Sequence, residues 1–290
     1  MLQQIPILSA LAPSVMARLA EHGREVAVRG GELCRPPQAE EIRFYPDGAS
    51  CTGASGERCT RGFEAFAPRL MPWLAGASFD REVRARRDGV AIDIATTHVT
   101  AALEDEFSLY IAIASATARE IIAAQGTTRH VGAPVPRLVT AALASESTSL
   151  VERVLFLYEM LPFARDHVGA LVQLAQLGAE LRADGGVELW REGDPADNAL
   201  FLLHGQVRAQ VAGRADAIFG PGSVLGGLDV VAAAPRWFTA TAEDAVVAMA
   251  VPVEGFIDVL EDSHDLARNI LQALAKALIS AEQSVMKPLW

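Results

Sequence analysis

Two apolar periodicities alternate along this chain. Over 150–161 and 168–178 apolar residues recur at spacings of three and four, which predicts amphipathic helices. The period then shortens. Residues 186–191, 199–203, 205–211 and 245–253 form short runs of strand character, separated by turn residues such as Gly193-Asp194-Pro195 and Gly220-Pro221-Gly222. Leu266, Ile270, Leu274 and Leu278 then recur every four residues and mark the apolar stripe of a closing helix. Short strands at this spacing predict a small barrel or jelly roll rather than parallel βαβ units.

The pattern occurs twice. Ile5-Pro6-Ile7 and Leu161-Pro162-Phe163 each open an amphipathic stretch (15–22 and 168–177) that ends near a Gly-Gly pair, Gly30-Gly31 and Gly185-Gly186. Tyr45-Pro46-Asp47-Gly48-Ala49 stands opposite Leu203-His204-Gly205-Gln206-Val207, and Ala102-Leu103-Glu104-Asp105 opposite Val259-Leu260-Glu261-Asp262. Order and a spacing of about 155–157 residues persist across a whole domain, which fits duplication. Residues 126–150, with Pro134, Pro136 and a polar run at 145–149, read as a linker that is helical around 138–144. The expected organisation is therefore a domain over 4–125, a linker over 126–150 and a second domain over 151–285. The expected fold class is α+β: two tandem small β-rolls, each flanked by N-terminal and C-terminal helices.

Composition narrows the function classes. The chain has 290 residues, 51% hydrophobic and 21% charged, enough to build two cores. Its longest apolar stretch reads as 245–253, short of the roughly 20 residues a bilayer requires, and no basic leader precedes an apolar segment. A net charge of -11 argues against a general grip on nucleic acid. Arg81, Arg84, Arg86 and Arg87 form the one local basic run worth weighing, either as a solvated strand edge and turn or as a docking patch for an acidic partner. Cys34, Cys51 and Cys59 make neither an even disulfide framework nor a C-x-x-C pair, which points to a reducing cytoplasm. Six scattered histidines lack metal-ligand spacing, and neither H-E-x-x-H nor G-x-S-x-G occurs. Glu104-Asp105-Glu106 reads as helix capping rather than as catalytic carboxylates.

The second copy carries a resemblance. Arg191-Glu192-Gly193-Asp194-Pro195-Ala196-Asp197 precedes Leu203-His204-Gly205-Gln206-Val207. Then come Phe219-Gly220-Pro221-Gly222-Ser223-Val224-Leu225-Gly226, Ala234-Pro235-Arg236 and Ala242-Glu243-Asp244. Between helices, this order resembles the cyclic-nucleotide-binding domain family over roughly 155–285, and more weakly over 4–124. The resemblance implies a cyclic phosphate held by an arginine and by backbone N–H groups of a glycine turn and short helix, with a glutamate on the ribose. It places Arg236 at the phosphate arginine and Gly226 at the turn, with Gly227, Leu228, Pro235 and Trp237 completing the segment. Gly227 stands where the acid belongs, a loss of about 1.5–3 kcal/mol for a buried hydroxyl. Asp229 lies two residues too late to replace it. Trp237 stands where a small residue belongs, and either plugs the pocket or stacks on a base. In the first copy the arginine position falls on Phe79 or Asp80, with Arg81 off register and the turn glycine missing.

Two readings follow. One is a non-catalytic regulatory or scaffolding protein with degraded pockets and no cofactor, acting on a protein partner. The other is a cyclic-nucleotide receptor that binds through Arg236 and moves its closing helix. The apolar stripes of the closing helices either pair in a homodimer or cover the rolls.

Overall fold

Every named strand in the computed structural model pairs antiparallel, as short runs between tight turns require. The structure describes residues 5, 8, 11, 13–35, 37, 40–53, 58–59, 65–79, 81–125, 148–161, 164–212 and 216–285. The helical segment expected at 138–144 and most of the linker lie outside the described residues, as do parts of the two apolar-Pro-apolar triplets. The chain divides into two units, Met1–Glu120 with Leu271–Trp290, and Ile121–Ile270. Two small β-rolls with flanking helices follow each other along it.

The first roll begins after α1 (Pro13–Glu21) with β1 (Arg24–Val28), β2 (Glu41–Phe44), β3 (Ala49–Gly53) and β4 (Arg58–Cys59). A short α2 (Leu70–Ala75), β5 (Arg81–Ala85) and β6 (Gly89–Ala95) complete it, before α3 (Thr96–Asp105) and α4 (Phe107–Gln125). Its sheets run β1-β6-β2 and β4-β3-β5.

The second half opens with α5 (Leu150–Met160), started by a capping box in which Ser149 and Glu152 satisfy each other's backbone N–H groups. α6 (Val168–Leu177) follows. The strands are β7 (Ala179–Ala183), β8 (Glu188–Trp190), β9 (Asn198–His204), β10 (Val207–Gln210), β11 (Ala217–Phe219) and β12 (Val224–Leu225). After α7 (Gly227–Ala232) come β13 (Thr239–Ala242) and β14 (Val246–Pro252), then α8 (Val253–Asp262) and α9 (His264–Val285). The sheets run β12-β9-β14-β7 and β11-β10-β13-β8. Between them Trp190, Leu200, Leu202, Leu225, Phe238 and Ala248 form a buried core.

Several expectations are refined. The closing segment is two helices rather than one. β7 and β13 were hidden from periodicity because Ala179–Ala183 and Thr239–Ala242 alternate too weakly. Glu104-Asp105 and Glu261-Asp262 end α3 and α8, so they stand at the joints before the next helices; Arg18 pairs with Glu106 at 2.9 Å. The apolar stretch 245–253 is not the longest: by length and composition Phe107–Ala124 of α4 could cross a membrane, although Leu109, Tyr110, Ile113, Ala114 and Ala118 within it are buried. The expectation of three reduced cysteines is also corrected. Cys51 is disulfide-bonded and lies opposite Cys59 in the β3–β4 register, while Cys34 is a free thiol.

Candidate anion site of the second roll

The segment between β12 and β13 builds the site. β12 ends at Leu225, and Gly226 turns the chain into α7 with a left-handed φ of 71°. Seven residues later Ala233 takes φ 47°, the one non-glycine among the described residues with positive φ, and reverses the chain. Pro235 is exposed; Arg236 then turns inward and is only 4% exposed. Its backbone is pinned from both sides, since Arg236 N–H donates to the Asp194 carbonyl and Gly193 N–H to that of Arg236, each at 2.8 Å.

The guanidinium has four kinds of neighbour. Nη2 donates to the Asn198 carbonyl at 2.7 Å and to Asn198 Oδ1 at 3.2 Å. Nη1 lies 3.6 Å from Asp229 Oδ2, an ion-pair distance without a hydrogen bond. The cationic carbon sits 4.2 Å from the Trp190 ring centroid, a cation–π contact. Gly226 supplies the fourth contact: a Cβ there would stand 2.0 Å from Nη1. Nε and Nη1 make no hydrogen bond, and neither does Ser223 Oγ.

Asp229 is fully buried. Burial pushes its carboxyl up to about 7, against the opposing pull of the Arg236 charge and the nearby Trp237 backbone N–H. Neither oxygen completes a hydrogen bond of normal geometry. Burial likewise lowers the Arg236 guanidinium, opposed by Asp229, Asp197 and Asp194. One arginine therefore stands among three carboxylates.

The other residues singled out in the sequence fall around this pair. Gly227 opens α7, with Val224 Cγ1 3.0 Å from where a Cβ would sit, and Leu228 is half-buried beside it. Trp237 packs edge-on to Phe238, centroids 5.0 Å apart, against the roll core. Trp190 and Asn198, both essential to the arginine's setting, were not legible as site residues. Their signal is only their place at the end of β8 and the start of β9.

The first roll solves the corresponding geometry differently. Arg69, which sequence reasoning passed over, precedes α2 as Gly226 precedes α7, and its Nη1 donates to the Glu41 carbonyl at 3.2 Å. Glu41 opens β2 as Asn198 opens β9. Here the guanidinium comes from the turn itself. Phe79 is half-buried, and Asp80 lies outside the described residues. Elsewhere in this roll Arg43 grips Asp93 bidentately at 2.5 and 2.8 Å, and Arg24 adds a third bond at 3.0 Å. A cavity of about 500 Å³ beside them is lined by Arg24, Val28, Cys34, Arg35 and Arg43 among others. In the basic run, Arg84 pairs with Glu82 and Arg87 with Asp47.

Comparison with known proteins places the segment. Residues 181–263 match the family model of the cyclic nucleotide-binding domain. No curated protein matches the chain. Among solved structures it is similar to the regulatory domain of Toxoplasma gondii PKA with cAMP, at 12% identity and a TM-score of 0.37, covering 98% of this chain and 94% of that one. It is similar to the regulatory subunit of a cAMP-independent protein kinase A from Trypanosoma brucei, at 13% identity and a TM-score of 0.38, covering 97% and 91%. The N-terminal domain of a transcriptional regulator from Streptomyces coelicolor A3(2) is 25% identical, with a TM-score of 0.37, over 41% of this chain and 86% of that one. The residues that the cyclic nucleotide-binding domain model matches, 181–263, hold Gly226, Asp229 and Arg236.

Proposed function

We propose that this chain is a non-catalytic regulatory or scaffolding protein. In this reading domains over 4–125 and 151–285, joined by the linker 126–150, have kept the cyclic-nucleotide-binding fold for its surfaces. It acts by contact with a protein partner and needs no cofactor. One observation carries the reading: the counter-charge of Arg236 is Asp229, a residue of the chain's own α7. Three further features support it. Gly227 offers no acid to a ribose, the Trp237 ring rests on the roll core, and Asp194 and Asp197 add negative charge around the arginine.

A second reading, a receptor that binds cyclic AMP or cyclic GMP along 226–228 and 235–237, draws on Nε and Nη1 of Arg236. Both are buried donors without a hydrogen bond, and a phosphate could satisfy them. Calorimetric titration with cyclic AMP, cyclic GMP and cyclic di-GMP decides between the two. Silence from all three in a cooperatively melting protein is the expected result. Micromolar binding that Arg236→Ala abolishes would overturn the first reading in favour of the second.

A further inference from the structure

We propose that Asp229 is a resident anion that occupies the phosphate seat of the second roll. Removing its charge should therefore turn the site into a receptor for a free oxyanion. The inference rests on the reading above, that Arg236 does not serve a cyclic nucleotide in the native chain, and names the residue responsible.

The geometry supplies the reasons. A phosphate seat needs a guanidinium, a backbone N–H aimed at the anion and exclusion of water. The Asp229 carboxylate has all three: Arg236 Nη1 at 3.6 Å, the Trp237 backbone N–H close by, and zero exposure. Gly226, with no side chain, lets the guanidinium come down onto this spot. The carboxylate is held loosely, because its oxygens complete no hydrogen bond and Arg236 keeps two donor nitrogens unpaired. A tetrahedral oxyanion carries more acceptors than a carboxylate and could engage Nε and Nη1 together. The seat's other anchor, Arg236 Nη2 on the Asn198 carbonyl, does not depend on Asp229.

The charges facing this seat are Arg236 from its loop and Asp194 and Asp197 from the β8–β9 turn. Asp194 and Asp197 are exposed, so solvent and salt screen them. Asp229 is the one buried carboxylate in the set, and its removal changes the sign of the interior.

The test uses the full chain and inorganic sulfate, dianionic throughout the range, against chloride at equal ionic strength. Asp229→Asn keeps the shape and deletes the charge. At pH 8, where the Asp229 carboxyl is ionised, we expect sulfate to raise the melting temperature of Asp229→Asn in a saturable way, with affinity about tenfold above wild type. The double variant Asp229→Asn/Arg236→Gln should lose this effect. Should Asp229→Asn fail to fold, wild type is titrated at pH 5.5 and pH 8, since the buried carboxyl is largely protonated at the lower value; sulfate should then stabilise only at pH 5.5. Equal sulfate binding by wild type and Asp229→Asn at pH 8, or no gain in a folded variant, overturns the proposal. Cyclic-nucleotide binding by wild type would overturn the reading beneath it instead, so the two failures are distinct.

Discussion

The guanidinium of Arg236 lies where Gly226 would carry a side chain. A Cβ built on Gly226 would meet Nη1 at 2.0 Å, and the glycine φ of 71° is one that other residues adopt only with strain. Two demands, one steric and one conformational, thus converge on a single glycine.

Gly226→Ala should therefore destabilise the second roll by about 2–4 kcal/mol, combining left-handed strain with overpacking. Urea denaturation followed by tryptophan fluorescence reads this directly, because Trp190 and Trp237 flank the site. A loss below about 0.5 kcal/mol would mean that Arg236 swings out of the core without consequence.

Asp229 should leave a signature in the pH dependence of stability. Its carboxyl is raised from the ordinary 3.8 to about 7, so between these values the folded chain binds more protons here than the unfolded one. The contribution is fully present below about pH 4 and is lost as pH rises towards 7. Melting temperatures of wild type should fall relative to those of Asp229→Asn across this window. Parallel curves would show that the carboxyl titrates normally.

In the first roll Asp93 takes hydrogen bonds from both Arg43 and Arg24 at 2% exposure. Asp93→Ala should cost about 3–5 kcal/mol, because Arg43 is left buried without its counter-charge. In the second roll the matching cross-strand pair is Leu200 opposite Ala250, where the first has Arg43 opposite Asp93. Arg43→Leu combined with Asp93→Ala should accordingly be milder than Asp93→Ala alone. Additive losses in a double-mutant cycle would count against this account.

The cysteines make a simpler prediction. Without reductant, an alkylating reagent should modify Cys34, which is partly accessible and free, and spare Cys51, which is disulfide-bonded. Peptide mapping by mass spectrometry gives the answer. Equal labelling of both would return the chain to the reduced state that its odd cysteine count suggests.

Much of the architecture can be read from residue order. Helical spacing over 150–161 and 168–178, short strand runs between glycine turns, and landmarks recurring at about 155–157 residues lead to two β-rolls with flanking helices, because burying one face of each element demands those periods. The resemblance put Arg236 at the phosphate arginine and Gly226 at the turn. What residue order could not reveal is which way Arg236 faces and what neutralises it. Asp229 looked like an acid two places late for a ribose; folding α7 over β9 makes it a counter-ion instead. Asn198 and Trp190, distant in sequence, become its other neighbours only once β8, β9 and β13 are in register. Local periodicity reports which face of an element is buried, whereas a charge pair depends on separations between elements, and only the packed chain sets those.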